Sequence, residues 1–304
     1  MSRHWLDEAR FRGRVGAGAL LHRLGLYQRL LPVNQPRPRG VARRLQSYLM
    51  NYYAQASCVE ADLFVPGLDV TFACDLKDHM LVHYVEGLDP IYELPEIEHC
   101  RKQVRPEDHI VDVGANHGFW GLSMARRAGP RARLYLAEAN PAILRRLRRT
   151  LRLNSGLRAE ILPYAIGDGG SETVTFYLPR GNLSGLGSTV LHEYAKQHGY
   201  LRAESRTEVP SRSLDGLAAQ GRIAGMDLLK IDVERGEDAV IRGARDALGT
   251  FRPRLVMMET ANHGYAFNAL CQMGYRSYRL DGRGEERSVT GGEPFWGNVF
   301  FRRD

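Results

Sequence analysis

The sequence predicts an α/β protein with a doubly wound parallel sheet, and three observations lead to this prediction. From about residue 108, short apolar segments alternate with segments of helical periodicity. Strand, crossover helix and strand in succession are typical of a parallel sheet covered on both faces. A glycine turn follows the first of these strands, and acidic residues end several others. The predicted strands are 109–113, 133–138, 159–166, 226–233 and 253–259, and the predicted helices are 118–128, 141–154, 236–248 and 262–273.

The first 100 residues are predicted to form a helical and β-hairpin extension, which precedes an α/β domain at residues 101–304. A Pro66-Gly67 turn separates two β-type segments and indicates the hairpin at 61–75. Residues 1–60 and 78–103 have helical patterns, the first with a proline-rich break at 32–38. Further strands are expected at 172–178, 276–280 and 298–302, the last two as an antiparallel pair.

Composition and charge limit the classes of protein that this chain can belong to. With 43% hydrophobic and 25% charged residues, it matches an ordinary globular protein. No apolar segment reaches the ~18–20 residues that span a bilayer. Residues 17–31 are apolar but interrupted by charges, which leaves a helix packed on the body or a peripheral membrane contact. The four cysteines are scattered, which suits a cytoplasmic protein. The extension could also mediate homodimerisation.

The net charge of +7 has its densest cluster at residues 145–149. Apolar residues recur there at helical spacing, so that one helix face is apolar and the other is basic. A solvated helix face is the favoured interpretation, and a nucleic-acid patch is the alternative. No aromatic residues are interleaved to stack on bases, so nucleic acid is not the expected partner.

The turn after the first strand predicts the ligand class. Gly114, Gly118 and Gly121 are spaced G-x-x-x-G-x-x-G, which differs from the dinucleotide pattern G-x-G-x-x-G. The turn also lacks the Gly-Lys-Ser/Thr of a phosphate loop. Glycine lets a ligand approach the backbone closely, and the start of the helix offers free N–H donors. S-adenosylmethionine, an adenosyl ligand without phosphates, fits this turn better than a nucleotide.

The next two strands end in candidate cofactor contacts. Glu138 lies 24 residues after Gly114, where a carboxylate can accept both ribose hydroxyls, although it could also cap the helix that begins at Pro141. Ala165 and Ile166 can flank an adenine. Asp168 can accept from the exocyclic amine of the adenine or act as an ordinary turn residue.

The fourth strand places Lys230, Asp232 and Glu234 on one face, because side chains alternate along a strand. Buried charges are costly unless they pair or serve a site, and a purely structural ion pair of Lys230 remains open. The fifth strand ends in Glu259, followed shortly by His263. The carboxylates at these two strand ends could hold a divalent cation such as Mg²⁺, position an acceptor hydroxyl or remove its proton.

Four motifs, in this order and spacing, resemble the FkbM-type family of S-adenosylmethionine-dependent methyltransferases over roughly residues 90–300. The motifs are Asp112-Val-Gly-Ala-Asn-His-Gly118, Ala165-Ile-Gly-Asp168 with Gly170, Lys230-Ile-Asp-Val-Glu234 followed by Gly243-Ala244, and Glu259. The resemblance implies the class I methyltransferase fold, a Rossmann-like sheet of seven strands. One position departs from the family pattern, since Arg235 replaces the glycine that usually follows Asp-Val-Glu, while Glu237 keeps its register. The chain after the fourth strand is therefore expected to turn differently, or Arg235 to point into the acceptor pocket.

By resemblance, Asp112, Gly114, Asn116 and Gly118 line the methionine end of the cofactor, Glu138 holds the ribose and Asp168 lies by the adenine. Such enzymes typically methylate a hydroxyl of a sugar, a polyketide or another small natural product, and a lipid-linked saccharide belongs to the same acceptor class. An RNA methyltransferase and a non-catalytic binding protein with the same fold are the alternatives, and 180–210 is expected to form part of the acceptor pocket or a lid. The candidate cofactor residues are Asp112, Gly114, Ala115, Asn116, Gly118, Glu138, Ala139, Ala165, Ile166, Asp168 and Asp232, and the candidate catalytic residues are Asp232, Glu234, Glu259 and His263.

Overall fold

The computed structural model of the chain describes residues 3–30, 40–86, 92–181, 183–289 and 294–303. An eight-stranded sheet lies at the centre of the described part, accompanied by a two-stranded hairpin and a three-stranded sheet. The predicted break at 32–38 lies outside the described residues. No helix in the described ranges combines the length and the apolar character that crossing a bilayer requires.

The extension contains helices and one hairpin, as the sequence predicts. Its last predicted helix, 78–103, is wrong as a single element, because two separate helices cover that range. The second of them begins after Glu93, whose left-handed φ of 54° starts the helix in a new direction. The elements are α1 (Arg3–Arg23), α2 (Tyr27–Leu30), α3 (Gly40–Gln55), β1 (Glu60–Val65), β2 (Val70–Asp75), α4 (Val82–Glu86) and α5 (Leu94–Arg101).

The α/β part follows the predicted alternation with three differences. The predicted strand 159–166 is two strands in two sheets, the predicted helix 236–248 is broken at Gly243-Ala244, and a strand and a helix at 206–219 were not predicted. Gly243 at this break allows a close contact, since a Cβ there would collide with the carbonyl oxygen of Gly167. The elements are β3 (His109–Val113), α6 (Phe119–Ala128), β4 (Arg133–Ala137), α7 (Pro141–Leu153), β5 (Arg158–Leu162), β6 (Ala165–Ile166), β7 (Thr173–Tyr177), α8 (Glu193–Gln197), β8 (Arg206–Arg212), α9 (Leu214–Ala219), β9 (Leu228–Ile231), α10 (Glu237–Arg242), α11 (Arg245–Phe251), β10 (Leu255–Ala261), α12 (Tyr265–Gln272), β11 (Arg276–Leu280), β12 (Glu286–Ser288) and β13 (Trp296–Arg302), with a short 3₁₀ turn at Ser184–Leu186.

The strand order of the main sheet is β12-β11-β13-β10-β9-β3-β4-β5. Strands β5, β4, β3, β9 and β10 are parallel, and β13 runs antiparallel between β10 and β11. This confirms the class I methyltransferase fold, with one correction to the predicted seven strands: β12 adds a short eighth strand at the edge. The order reverses between β3 and β9, which is the place where such sheets bind ligands.

The two faces of the sheet have separate apolar cores. On one face Leu134, Met257 and Phe300 pack beneath the extension, where they share a core with Phe72 and Phe119. The opposite face packs against α9–α12. Helices α6 and α7 and the extension therefore cover the first face together, and the domain boundary near residue 100 remains a prediction from the sequence.

The basic face of α7 is occupied by the hairpin. Arg146 donates to Glu60 at 2.8 Å, and Arg149 donates to Asp62 at the same distance. Arg145 lies 3.5 Å from Glu60. Three of the clustered arginines thus bind carboxylates of the extension, which weakens the interpretation of this helix as a nucleic-acid patch.

Helix α1 packs closely on α3. Gly18 allows this approach, since a Cβ there would collide with the Tyr48 carbonyl oxygen. The His22 ring contacts the Tyr53 hydroxyl at 3.2 Å and the Glu60 carbonyl oxygen at 3.0 Å. These contacts support the packing of residues 17–31 on the body of the protein.

Candidate functional site

A cavity opens at the carboxyl ends of β3, β4 and β9, where the strand order reverses. Its empty space, counted together with the solvent at its mouth, is about 1020 Å³. Of the predicted cofactor residues, the structure brings the following to its wall: Gly114, Ala115, Asn116, Glu138, Ala139, Ala165, Ile166 and Asp232.

The donor loop, residues 112–121, is held by backbone contacts. Gly114 has a φ of +80°, and a Cβ there would collide with the carbonyl oxygen of Asp232, so only glycine fits. The Gly114 and Ala115 N–H groups both donate to the Ala137 carbonyl oxygen. Asp112 is buried behind the loop and accepts from the Gly121 N–H at 3.0 Å. Burial is the main reason that the pKa of Asp112 is raised to about 6.

Glu138 anchors the loop from the neighbouring strand. Its two carboxylate oxygens accept from the Asn116 N–H at 2.8 Å and from the Asn140 N–H at 2.7 Å. The alternative that Glu138 caps the next helix is wrong, because Asn140 accepts from the Ala142 N–H and caps α7 itself. Burial raises the pKa of Glu138, although the backbone donors favour its charged form. A buried carboxylate at the cavity wall suits a ribose diol.

The part of the wall where the sequence predicts the adenine is largely apolar. Ala165 and Ile166 line the cavity there together with Tyr164 and Phe176, which the sequence did not single out. Asp168 is exposed, and its carboxylate accepts from the Gly170 N–H at 2.9 Å, the turn alternative considered above. The predicted contact of Asp168 with adenine remains a prediction. Gly118 precedes α6 with a φ of +84° and lies behind the cavity wall, so that its role is in the turn.

Lys230 forms the ion pair that the sequence left open. Its ammonium donates to Asp232 at 2.8 Å and lies 3.7 Å from Glu93. Burial alone would lower the pKa of Lys230, but the surrounding carboxylates raise it well above its usual value. Glu93 also accepts from the Asn298 side chain at 2.7 Å. The pairing fixes the Asp232 carboxylate at the cavity wall.

Three carboxylates converge at the ends of β9 and β10. Oxygens of Asp232, Glu234 and Glu259 lie within 4.8 Å of one another. Burial, and then the Asp232 charge, raises the pKa of Glu234 to about 8, and the same two causes raise the pKa of Glu259. Such a cluster suits the binding of a proton or of a cation.

Residues 232–237 connect β9 to α10 and are called the acceptor turn here, after the role that the sequence predicts for them. Glu234 and Arg235 have φ values of 55° and 78°. The backbone therefore turns through the left-handed region, where glycine is favoured and where the resembling family usually has one. The Arg235 guanidinium lies 3.5 Å from the centre of the Trp296 ring, at the edge of the site.

His263 is exposed on the turn after β10, where its Nδ1 lies 3.3 Å from Asn262. The cavity wall does not include it, nor does it include Glu259, which joins the site through the carboxylate cluster. The role of His263 as a proton acceptor therefore remains a prediction without support from its position.

The extension contributes part of the wall that sequence reasoning missed. Asp78 is buried and lies 3.3 Å from His79 and 3.5 Å from His117. Burial would raise the pKa of Asp78, but hydrogen bonds from His117 and His79 hold it well below its usual range. Lys230 was the one feature of the sequence that could have indicated Glu93, because a buried lysine is stabilised by carboxylates beside it. The wall residues from the extension are His79, Met80, Tyr92 and Glu93, and those from the expected lid are Ser184, Gly185, Leu186, Gly187 and Thr189.

Comparisons with known proteins identify the family of the chain. The model of the methyltransferase FkbM domain matches residues 112–279. The AMB antimetabolite synthetase AmbE of Pseudomonas aeruginosa is 30% identical over 241 residues, which is 68% of this chain and 11% of that protein. This chain thus spans about a tenth of that curated relative.

Among solved structures, methyltransferases match the chain at low identity. The methyltransferase FkbM of Methylobacillus flagellatus is 14% identical, with a TM-score of 0.40 over 74% of this chain and 52% of that one. An O-methyltransferase of Thermotoga maritima is 11% identical, with a TM-score of 0.37 over 70% of this chain and 67% of that one.

Proposed function

This chain belongs to the FkbM family of methyltransferases, and we propose that it transfers a methyl group from S-adenosylmethionine to a hydroxyl of a small molecule or glycan. The observation that carries the proposal is the carboxylate cluster of Asp232, Glu234 and Glu259, which adjoins the cofactor cavity. A hydroxyl must lose its proton when it is methylated, and a base within hydrogen-bond reach assists this loss.

Different residues of the cavity wall would bind the methionine part, the ribose and the adenine of the cofactor. The backbone of Gly114 and Ala115, with Asn116, would hold the methionine part, and Glu138 would accept the ribose hydroxyls. Ala165 and Ile166 would flank the adenine. S-adenosylmethionine supplies an electrophilic methyl group on a sulfonium when it is bound. The main task of the protein is then to align a hydroxyl with that methyl group.

Asp232 and Glu234 would position the acceptor, and Glu259 would accept its proton. Asp232 is held by Lys230, so that it suits orientation. The pKa of Glu259 is raised, mainly by burial, which makes its carboxylate a better base. As a second arrangement, the three carboxylates could hold a divalent cation such as Mg²⁺, which would bind the acceptor oxygen.

We also propose a cytoplasmic location and a homodimer built through the extension. A peripheral membrane contact of the N-terminal helices is the alternative, since Leu20 and Leu24 are exposed there. An RNA acceptor is disfavoured, because three arginines of α7 already bind carboxylates.

Calorimetry and product analysis test the proposal. We expect the chain to bind S-adenosylhomocysteine and not NADH, and to label a compound in extracts given S-adenosylmethionine with an isotopic methyl group. A methyl ether survives mild base, whereas a methyl ester is hydrolysed. A base-labile or nitrogen-bound label would contradict hydroxyl methylation, and binding of neither ligand would favour a non-catalytic role.

A further inference from the structure

Arg235 occupies a backbone position that suits glycine. It follows Glu234, and both have left-handed φ values, 55° and 78°. A side chain in this region is strained, and such strain persists only where the surroundings enforce it. Strained residues cluster at binding and active sites. An arginine here therefore calls for a functional reason.

The surroundings hold the turn and the side chain in place. Ser188 is buried, and its hydroxyl donates to the Glu234 carbonyl oxygen at 2.6 Å. The guanidinium carbon lies 3.5 Å from the centre of the Trp296 ring, a close cation–π contact. The Trp296 side chain also forms a hydrogen bond with Glu259 of the carboxylate cluster. The guanidinium is thus fixed next to the carboxylate cluster and one residue after Glu234 of the cavity wall, although Arg235 is not itself a wall residue.

Stacking leaves the guanidinium without a carboxylate in hydrogen-bond reach, although its charge acts on Glu259, where it partly offsets the rise in pKa that burial causes. Within the part of the chain that the structure describes, no carboxylate oxygen lies within 4 Å of it, in contrast to Arg146, which pairs with Glu60 at 2.8 Å. Burial lowers the pKa of His192, and the Arg235 charge lowers it further, which places Arg235 near the start of α8. The edges of the stacked group carry five N–H donors in a planar fork.

We propose that Arg235 binds an oxyanion group of the acceptor, so that the substrates are hydroxyl compounds that carry a carboxylate or a phosphate. A planar guanidinium binds both groups through paired hydrogen bonds. Lys230 pairs with Asp232 and offsets its negative charge. This pairing reduces the repulsion between the Asp232 carboxylate and an anionic acceptor. This inference rests on the proposed methyl transfer and narrows its acceptor class.

The test compares full-length Arg235→Gly, Arg235→Lys and Arg242→Ala. Glycine relieves the left-handed φ, so we expect a urea midpoint equal to or above that of the wild type. Arg242 is the matched control, because it stacks on Tyr265 at 4.4 Å and has no carboxylate within 4 Å among the described residues. The label in the product measures kcat/KM for the acceptor. We expect Arg235→Gly to lower this kcat/KM about 100-fold, Arg235→Lys to lower it less, and Arg242→Ala to leave it unchanged.

The charge of the labelled product decides between outcomes. We expect an anion exchanger to retain it at pH 7, and phosphatase treatment before the column distinguishes a phosphate from a carboxylate. A neutral product, or unchanged kcat/KM in Arg235→Gly, overturns the proposal.

A binding measurement keeps this test separate from the proposed function. Inorganic phosphate titrated into the chain saturated with S-adenosylhomocysteine should bind at least tenfold more weakly to Arg235→Gly than to the wild type. Equal affinities overturn the oxyanion site, even where no methyl product forms. Failure to bind S-adenosylhomocysteine contradicts the proposed methyl transfer. Phosphate is then titrated into the free chain, where Arg235→Gly should again bind it at least tenfold more weakly than the wild type.

Discussion

The donor loop and the acceptor turn follow adjacent strands, yet they are built in opposite ways. The donor loop takes its left-handed φ values mainly at glycines, Gly114 and Gly118, and backbone N–H groups donate to Glu138 and to one oxygen of Asp112. The acceptor turn takes them at Glu234 and Arg235, and its carboxylates crowd one another. The two meet where Gly114 passes beneath the carbonyl oxygen of Asp232.

This difference teaches how one fold serves a constant donor and a variable acceptor. A loop positioned by its backbone binds the same cofactor whatever side chains surround it. A turn made of strained, charged side chains can be altered residue by residue to suit an acceptor. Changes in the donor loop should therefore affect cofactor binding, and changes in the acceptor turn should affect turnover.

Asp232→Asn should have the largest effect on turnover, and it distinguishes the acceptor turn from the donor loop most clearly. Loss of the charge removes an acceptor-positioning group and leaves Lys230 paired only with Glu93, so we expect turnover to fall about 1,000-fold. Affinity for S-adenosylhomocysteine, measured by calorimetry, should change less than about tenfold. The control is Asp246→Asn, at an exposed position of α11. Turnover at the wild-type rate would exclude Asp232 from the reaction.

Gly114→Ala should damage the donor loop through its backbone. The new Cβ would collide with the Asp232 carbonyl oxygen at a left-handed φ, so we expect a loss of about 3 kcal/mol in the free energy of unfolding. Gly249→Ala is the matched control, because a Cβ in that exposed turn of α11 meets nothing within 4 Å. Urea denaturation compares the two variants. Equal stability would refute the close approach of the loop to β9.

Glu138→Gln should weaken cofactor binding and leave the acceptor turn unaffected. An amide nitrogen would face one of the two backbone N–H donors that the carboxylate now accepts, and the ribose would lose a charged partner. We expect about a tenfold loss of affinity for S-adenosylhomocysteine, or about 1.4 kcal/mol. Exposed Glu172→Gln serves as the control. If only turnover changed and affinity did not, the assignment of Glu138 to the donor half would be wrong.

Glu237→Gln should have the smallest effect on cofactor binding and turnover, and its effect on stability should depend on pH. Burial is the main cause that raises the pKa of Glu237 from 4.5 to about 8. The folded protein therefore holds this proton more tightly than the unfolded chain, so stability from this group is present below pH 4.5 and is lost as the pH rises towards 8. The variant should match the wild type near pH 4.5 and exceed it by several kcal/mol above pH 8, since each unit of the raised pKa corresponds to about 1.4 kcal/mol. Parallel urea curves at the two pH values check this, and a constant difference would contradict it.

Local sequence patterns predict the parts of the site that lie within one strand–turn–helix unit. The donor loop, Glu138 and the alternating charges of β9 can be recognised because strand periodicity and glycine spacing are short-range properties. Glu93 and His79 were missed, since nothing in a helix-like segment indicates that it packs over a distant strand end. The ion pair of Lys230 required Glu93, which is 137 positions away in the chain.

The sequence by itself determined the α/β class, the parallel core and the donor loop, because alternation and glycine placement restrict the backbone directly. Only the tertiary structure decided that the extension joins the core on one side of the sheet and completes the wall of the cavity. It also decided that β12 adds an eighth strand and that Arg235 stacks on Trp296 rather than pairing with a carboxylate. These outcomes depend on contacts between segments far apart in the chain, whose free energies no local pattern contains.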